Sequence, residues 1–155
     1  ADVELNAVVE RAIHWVRKGT APVFAVHHAP AAPAWVRGNA GQLLQVVMNL
    51  VQNAYDAGAP SGEPALWIEW LDSAGSGWVS LQFRDNGPGI APENLGRVFD
   101  PFFTTKPVGK GTGLGLSISY GLVERHGGRI SVANAPQGGA VFLLELPRVA
   151  EPPAP

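Results

Sequence analysis

A line of polar side chains runs through an otherwise apolar segment, residues 40–57. Apolar side chains recur there at helical spacing, which predicts a long amphipathic helix. The polar positions between them are Gln45, Asn49, Asn53 and Asp56. Asparagine is a poor helix former, so two in mid-helix need partners, and amide oxygens suit Mg²⁺ when water and phosphates fill its other positions. A solvated helix face would give the same spacing, so this segment alone leaves both interpretations open.

A second candidate site is the run Asp85-Asn86-Gly87-Pro88-Gly89, which follows a predicted strand. Alternation in that strand places Asp85 on the same face as Val79, Leu81 and Phe83. A carboxylate that faces a core needs a donor, and the exocyclic amine of a purine is such a donor. The glycines would let the backbone approach a flat ring closely. Taken alone, the same letters also describe an ordinary turn.

A third candidate site is a loop with glycine at every second position. It comprises Gly109, Lys110, Gly111, Thr112, Gly113, Leu114, Gly115 and Leu116. The loop leads directly into a predicted helix, whose first N–H groups and dipole favour anions, so it could hold phosphates. It matches neither a Walker A loop nor G-x-G-x-x-G. A flexible hinge is the competing interpretation.

A fourth candidate is the aromatic stretch from Phe99 to Lys106. Three phenylalanines lie beside a polar segment, and Lys106 could reach a triphosphate. Glycines and prolines among the polar residues of 101–113 predict an irregular loop, which we expect to act as a mobile lid when no nucleotide is bound. Plain core packing would also explain the phenylalanines.

The elements that position these residues alternate between helical and strand patterns. Helices are predicted at 4–17, 40–57, 92–98 and 114–126, and strands at 23–28, 35–37, 66–71, 79–84, 129–132 and 140–146. Glycines at 138–139 and a Ser/Gly stretch at 73–77 indicate hairpins. The pattern predicts a two-layer α/β sandwich, a mixed sheet covered on one face by about three helices.

Bulk composition excludes several classes of protein. The chain has 155 residues, a net charge of -2 and no cysteine, so disulfides and thiolate metal sites are excluded and nucleic-acid binding is disfavoured. No signal peptide or membrane-spanning run is found. The chain begins inside an amphipathic pattern, so we expect it to be part of a longer one. One domain over residues 1–147 and a disordered tail over 148–155 are predicted.

Together, the four stretches resemble the catalytic domain of sensor histidine kinases, within the wider family of gyrase, chaperone, histidine-kinase and mismatch-repair ATPases. The segment Asn49–Ala57 is similar to the family's N box, Asp85–Ile90 to its first glycine box, Phe99–Lys106 to its F box and Gly109–Leu116 to its second glycine box. The F box looks most like that of nitrogen-regulator sensor kinases. Two departures are Asn39, where an acidic residue is usual, and Ala140, where threonine is common.

The resemblance implies a Bergerat-type ATP-binding fold that uses ATP and Mg²⁺. By this resemblance Asn53 binds the metal, Asn49 lies beside it, Asp85 accepts from the adenine amine, and Lys106 and the glycine loop hold phosphates. Asn49, Asn53 and Lys106 would be catalytic. The remaining nucleotide-binding residues would be Asp56, Gly87, Gly89, Ile90, Phe99 and Thr105.

None of the four histidines lies in a phospho-acceptor pattern, so the acceptor is expected on a separate dimerisation domain. The implied function is transfer of the γ-phosphoryl of Mg-ATP to that histidine, with a response regulator receiver domain as an indirect partner. We expect a cytoplasmic, monomeric domain without nucleic-acid or direct membrane contacts. Competing hypotheses are an anti-sigma-type serine/threonine kinase, a nucleotide sensor without transfer, and a DNA-topology or mismatch-repair ATPase.

Overall fold

A mixed five-stranded sheet forms one layer of the protein, described by a computed structural model for residues 1–20, 23–30, 32–71, 77–103 and 115–153. The strands in the described residues are β1 (Asp2–Glu4), β2 (Ala25–His28), β3 (Trp35–Arg37), β4 (Ala65–Leu71), β5 (Trp78–Asp85), β6 (Arg129–Asn134) and β7 (Ala140–Pro147). The sheet order is β2-β4-β5-β7-β6, with β2 parallel to β4 and the other neighbours antiparallel. β1 and β3 form a separate antiparallel pair.

Three α-helices in the described part of the chain form the second layer. They are α1 (Leu5–Lys18), α2 (Ala40–Gly58) and α3 (Gly115–Arg125). α2 and α3 pack on the sheet, and α1 packs against α2. The inward residues of the strands, such as Leu66, Phe83 and Leu144, are almost fully buried against these helices. The predicted two-layer α/β sandwich is therefore confirmed.

Side chains and glycines define the helix ends. Asn39 caps α2, since its side chain accepts a hydrogen bond from Gln42 N at 2.9 Å, and it does so despite standing where an acidic residue is usual. α3 ends at Arg125 and is followed by Gly127, whose φ of 73° suits glycine, and Gly128 N donates to Val123 O at 3.0 Å. These caps satisfy backbone groups that the helices leave unpaired.

Glu4 caps α1 in a less common way. Its carboxylate accepts from the backbone N–H groups of Asn6, Ala7 and Ala34, so it joins the helix to a distant loop. Burial alone would raise the pKa of Glu4, but these hydrogen bonds outweigh it and the pKa is lowered. Glu4 therefore stabilises the fold in its ionised form.

Two sequence-based predictions need correction, and one strand was not predicted. Residues 92–98 do not form an α-helix: only Pro92–Asn94 forms a 3₁₀ turn, because the segment is short and Gly96 interrupts it. Strand β1 was not predicted, since three residues give too short a pattern. The first residues of the predicted tail belong to the folded body, because Arg148 N donates to Gly77 O at 2.8 Å and Val149 N to Trp35 O at 2.9 Å.

Candidate functional site

Asp85 ends β5 on the face that the helices cover, as the strand alternation predicts. It is only 3% exposed. Gly87 N donates to its Oδ1 at 2.9 Å and Ala140 N donates to the same oxygen at 3.1 Å. Two backbone donors thus hold the carboxylate in one orientation. Because the second is the backbone of Ala140, this contact does not need the threonine that is common at that position.

The electrostatic environment of Asp85 is unfavourable to its charge. Burial raises the pKa of Asp85, and although the hydrogen bonds from Ala140 and Gly87 and the nearby Arg84 act in the opposite direction, the pKa stays above its ordinary value. A buried carboxylate in this state gains from an additional donor. The site therefore favours a ligand that brings an N–H group.

The glycines around Asp85 are required by close packing between protein segments. A Cβ on Gly87 would lie 2.7 Å from Ala57 O of α2, and a Cβ on Gly89, whose φ is 81°, would lie 2.8 Å from Asn134 Oδ1. A Cβ on Gly139 would collide with the backbone oxygen of Asp85. From the sequence we expected the glycines beside Asp85 to let a flat ring approach the backbone. In the structure they also let neighbouring protein segments pack closely against the loop.

Two asparagine side chains fix the loop of residues 86–90: Asn86, which lies within the predicted second site, and Asn134, which was not predicted. Asn86 accepts from Ala65 N at 2.9 Å and donates to Glu63 O at 2.8 Å. At the other end of the loop, Ile90 N donates to Asn134 Oδ1 at 2.8 Å and Asn134 Nδ2 donates to Ile90 O at 2.7 Å. Asparagine in a turn is common, and no local pattern in the sequence indicates these distant partners.

The polar line of α2 connects this loop to the start of α3. Asn49 Nδ2 donates to Gly115 O at 3.1 Å and to Ser119 Oγ at 3.0 Å, so the amide is tied to the first turn of α3. Ser119 is fully buried and was not predicted. Asn53 lies half-buried between Asn49 and Ala57, which contacts Gly87. Asp56 is also half-buried, and its Oδ1 accepts from Gln52 at 3.1 Å.

The phenylalanines of the aromatic stretch have different environments. Phe99 packs against the core, with its ring centroid 5.3 Å from that of Tyr120 and 6.2 Å from that of Phe142. Phe102 is 72% exposed and has a positive φ of 65°, which is unfavourable for a bulky residue. Phe103 is half-buried beneath the guanidinium of Arg97.

The predicted site is therefore assembled in part. Asn49, Asn53 and Asp56 share α2, while Asp85, Gly87, Gly89 and Ile90 form the adjoining loop. Gly115 and Leu116 begin α3, and Phe99 packs beneath it. The rest of the predicted site lies outside the described residues. This part comprises the lid beyond Phe103 with Thr105 and Lys106, and the loop residues Gly109, Lys110, Gly111, Thr112, Gly113 and Leu114.

Two histidines have their rings hydrogen-bonded inside the fold. The side chain of His28 is 3% exposed, contacts Glu10 through Nδ1 at 2.7 Å and accepts from Trp70 Nε1 through Nε2 at 2.9 Å. In His126, Nδ1 lies 2.8 Å from Leu122 O, and Nε2 accepts a hydrogen bond from Asn39 N at 3.1 Å. His126 therefore binds a carbonyl oxygen in the last turn of α3 and the backbone N–H of the residue that caps α2.

Similarity to known proteins agrees with this arrangement. Residues 38–150 match the family of histidine kinase-, DNA gyrase B- and HSP90-like ATPases. The two-component sensor PprA of Pseudomonas aeruginosa is 48% identical over 127 residues, which cover 79% of this chain and 13% of PprA. The C4-dicarboxylate transport sensor protein DctB of the same organism is 39% identical over 148 residues, covering 94% of this chain and 24% of DctB.

Solved structures give the same result. A mycobacterial sensor histidine kinase, MprB, superposes with a TM-score of 0.84 at 27% sequence identity, over 96% of this chain and 98% of that one. The chain spans a quarter or less of the length of PprA and DctB. No helix in the described ranges is long and apolar enough to cross a membrane. This chain belongs to the family of histidine kinase-, DNA gyrase B- and HSP90-like ATPases, in which it corresponds to the ATP-binding catalytic domain of sensor histidine kinases.

Proposed function

We propose that this chain binds Mg-ATP with the adenine against Asp85 and the phosphates beside Asn49 and Asn53, and that it transfers the γ-phosphoryl group to a histidine on a separate dimerisation domain. In that transfer the bond from the γ-phosphorus to the ADP oxygen breaks, a phosphorus–nitrogen bond to the imidazole forms, and ADP leaves. The response regulator would then take the phosphoryl group from the histidine. Since ATP is a cytoplasmic substrate, the domain would act on the cytoplasmic side.

The position of Asp85 carries the proposal. Within the described residues, the two hydrogen bonds that Asp85 accepts both end on Oδ1, so Oδ2 is the oxygen that would accept from the adenine amine. The raised pKa shows that the ionised group lacks full compensation, which an amine donor would supply. A guanine ring would place a carbonyl oxygen there, which a carboxylate repels. The site should therefore select adenine over guanine.

The phosphates would lie at the other end of the polar line of α2. Asn49 and Ala57 are eight residues apart, which corresponds to ~12 Å along a helix. Asn49 contacts the first turn of α3, where the backbone N–H groups and the helix dipole favour negative charge. Most of the rate enhancement would come from positioning and from neutralising phosphate charge, to which Lys106 would contribute.

The side chains on this line fit a Mg²⁺ ion that is also held by phosphates. Mg²⁺ prefers oxygen ligands and usually takes only one or two from the protein. Asn53 offers an amide oxygen in mid-helix, and it is half-buried between Asn49 and the Asp85 loop. We propose Asn53 as the metal ligand. When bound, Mg²⁺ would neutralise charge on the triphosphate.

The acceptor domain would dock beside the phosphate end. Phe102, Ile118 and Tyr120 are all large apolar side chains that are more than one third exposed, at 72%, 41% and 39%. Phe102 lies three residues after Phe99, whose ring packs on that of Tyr120. Ile118 and Tyr120 both lie on α3. Large apolar side chains that stay exposed around a site are candidates for cover by a partner domain. The dimerisation domain would cover them when its histidine reaches the γ-phosphate.

The proposed adenine pocket is tested by nucleotide selectivity. Replacing Asp85 by alanine should weaken ATP binding about tenfold to a hundredfold, because one buried hydrogen bond is worth roughly 1–3 kcal/mol. GTP binding, which we expect to be weak in the unaltered chain, should hardly change. Calorimetry with ATP, ADP and GTP measures this, and Glu93→Ala, an exposed carboxylate near the site, is the matched control. Equal affinity of the unaltered chain for ATP and GTP would contradict the proposed pocket.

A further inference from the structure

We propose that Asn134 is a positioning residue for the purine end of the site, and that it acts by holding the backbone of Ile90. The inference rests on the proposed adenine pocket. Asn134 ends β6, and its side-chain amide both accepts from Ile90 N at 2.8 Å and donates to Ile90 O at 2.7 Å. The amide therefore pairs with Ile90 as the backbone of a neighbouring strand would.

Only an asparagine-sized amide can make both bonds. Aspartate keeps the acceptor but loses the donor, and its charge would face Ile90 O. Serine has its donor and its acceptor on a single oxygen, which can reach only one of the two backbone groups of Ile90, and alanine makes neither bond. A side chain on Gly89 would meet Asn134 Oδ1 at 2.8 Å, so the loop and the amide fit closely.

The same hairpin holds both walls of the proposed pocket. β6 ends with Asn134, which fixes Ile90, and β7 begins with Ala140, whose N–H donates to Asp85 Oδ1 at 3.1 Å. The segment between Asp85 and Ile90 contains two glycines and has a high conformational entropy when it is free. Fixing Ile90 therefore sets where this loop lies relative to the carboxylate that would accept the amine.

A positioning role, unlike a purely structural one, predicts that replacing Asn134 changes ligand affinity more than global stability. Asn134 is an exposed residue, and Ile90 lies outside the strands of the sheet. Losing the two bonds should thus cost little global stability, and the thermal midpoint should fall by only a few degrees. The loss should appear instead in the affinity for ligands that contain a purine.

The test compares Asn134→Ala with Asn134→Ser and with the control Gln137→Ala, which alters an exposed side chain on the same hairpin. Calorimetry with ADP, with adenosine and with inorganic triphosphate separates the two ends of the site. We expect Asn134→Ala to weaken ADP and adenosine by the same factor, about five- to tenfold, as expected for hydrogen bonds of ordinary strength. Triphosphate binding should be unchanged, and Asn134→Ser should recover part of the affinity.

Phosphoryl transfer to the acceptor domain gives a second measurement. The KM for ATP should rise by a similar factor in Asn134→Ala, while kcat at saturating ATP should be retained. An equal loss of triphosphate binding and of kcat would overturn the positioning role in favour of a structural one. If Asn134→Ala lowers the thermal midpoint strongly, the same binding and kinetic measurements are made on Asn134→Ser, which keeps one bond. Its affinities for ADP and triphosphate, its KM and its kcat then decide between the positioning and the structural role.

Asp85→Ala separates this inference from the proposed pocket. If Asp85→Ala loses ADP affinity and Asn134→Ala does not, the pocket stands and the role of Asn134 is wrong. If both variants bind ADP as the unaltered chain does, the pocket itself is misplaced, and the inference fails with it.

Discussion

At the scale of single residues, Asp85 combines burial with a proposed role, acceptance from the adenine amine, that requires charge. Burial raises its pKa, and the N–H groups of Ala140 and Gly87 only partly offset that effect. A carboxylate accepts from an amine, whereas a protonated carboxyl group can donate to a carbonyl. The protonation state of this one group should therefore decide which purine the site prefers.

This gives a prediction with opposite signs for two nucleosides. Adenosine, with an amine at the relevant position, should bind fully above the raised pKa of Asp85 and lose affinity as the pH falls through it. Inosine, with a carbonyl at that position, should gain affinity over the same interval. Asp85→Asn should flatten both profiles. Titration of both nucleosides from neutral to acidic pH checks this, and parallel profiles for the two would contradict the assignment.

A second prediction concerns the metal. Asn53→Ala should reduce the gain in ATP affinity that Mg²⁺ provides, because the side-chain ligand is removed while the contact between α2 and α3 made by Asn49 is kept. Gln45→Ala, two helical turns before Asn53 on the same polar line, should have no effect. Calorimetry with and without Mg²⁺ distinguishes the two variants. An unchanged Mg²⁺ dependence in Asn53→Ala would show that Asn53 is not the metal ligand.

At the scale of secondary-structure elements, the β6–β7 hairpin supports the carboxylate. Its two glycines both have positive φ, 104° at Gly138 and 84° at Gly139, but their surroundings differ. A Cβ on Gly138 has nothing within 4 Å, whereas a Cβ on Gly139 would collide with the backbone of Asp85. At Gly138 only the backbone conformation requires glycine. At Gly139 both the backbone conformation and the close packing against Asp85 require it.

The pair Gly138→Ala and Gly139→Ala tests this difference. Both substitutions incur the conformational penalty of a positive φ, about 1 kcal/mol. Gly139→Ala must also displace β5 or the hairpin, so it should lower the free energy of unfolding by at least ~2 kcal/mol more and abolish measurable ADP binding. Chemical denaturation and calorimetry give both quantities. Similar behaviour of the two variants would show that the hairpin is not packed tightly against Asp85.

Long periodic elements could be predicted from the sequence, and contacts between distant segments could not. The stripe of α2 and the alternation before Asp85 gave the helix, the strand and the burial of the carboxylate, because both patterns are local. The bonds of Asn134 to Ile90 join residues 44 positions apart, and those of Asn49 to Ser119 join residues 70 apart. Such partners depend on the order of the strands and the packing of the helices, which no local spacing specifies.

At the scale of the whole molecule, the chain supplies a nucleotide site but its histidines are poorly placed as acceptors. The rings of His28 and His126 are occupied by hydrogen bonds inside the fold. His27 is stacked on Trp67, which pairs with Arg84 on the face of the sheet opposite Asp85. His14 lies exposed on α1, which packs against α2. Transfer should therefore require a second domain.

The most direct test is to incubate radiolabelled ATP with this chain, first alone and then with the dimeric histidine-containing domain of the kinase to which it belongs. Our account predicts no label on the chain alone and slow, acid-labile labelling of the added domain. Transfer should be slow because the two parts meet by collision, whereas a covalent link would give an effective concentration near millimolar. Acid-labile label on the isolated chain would contradict the account, as would label on neither protein despite normal ATP binding.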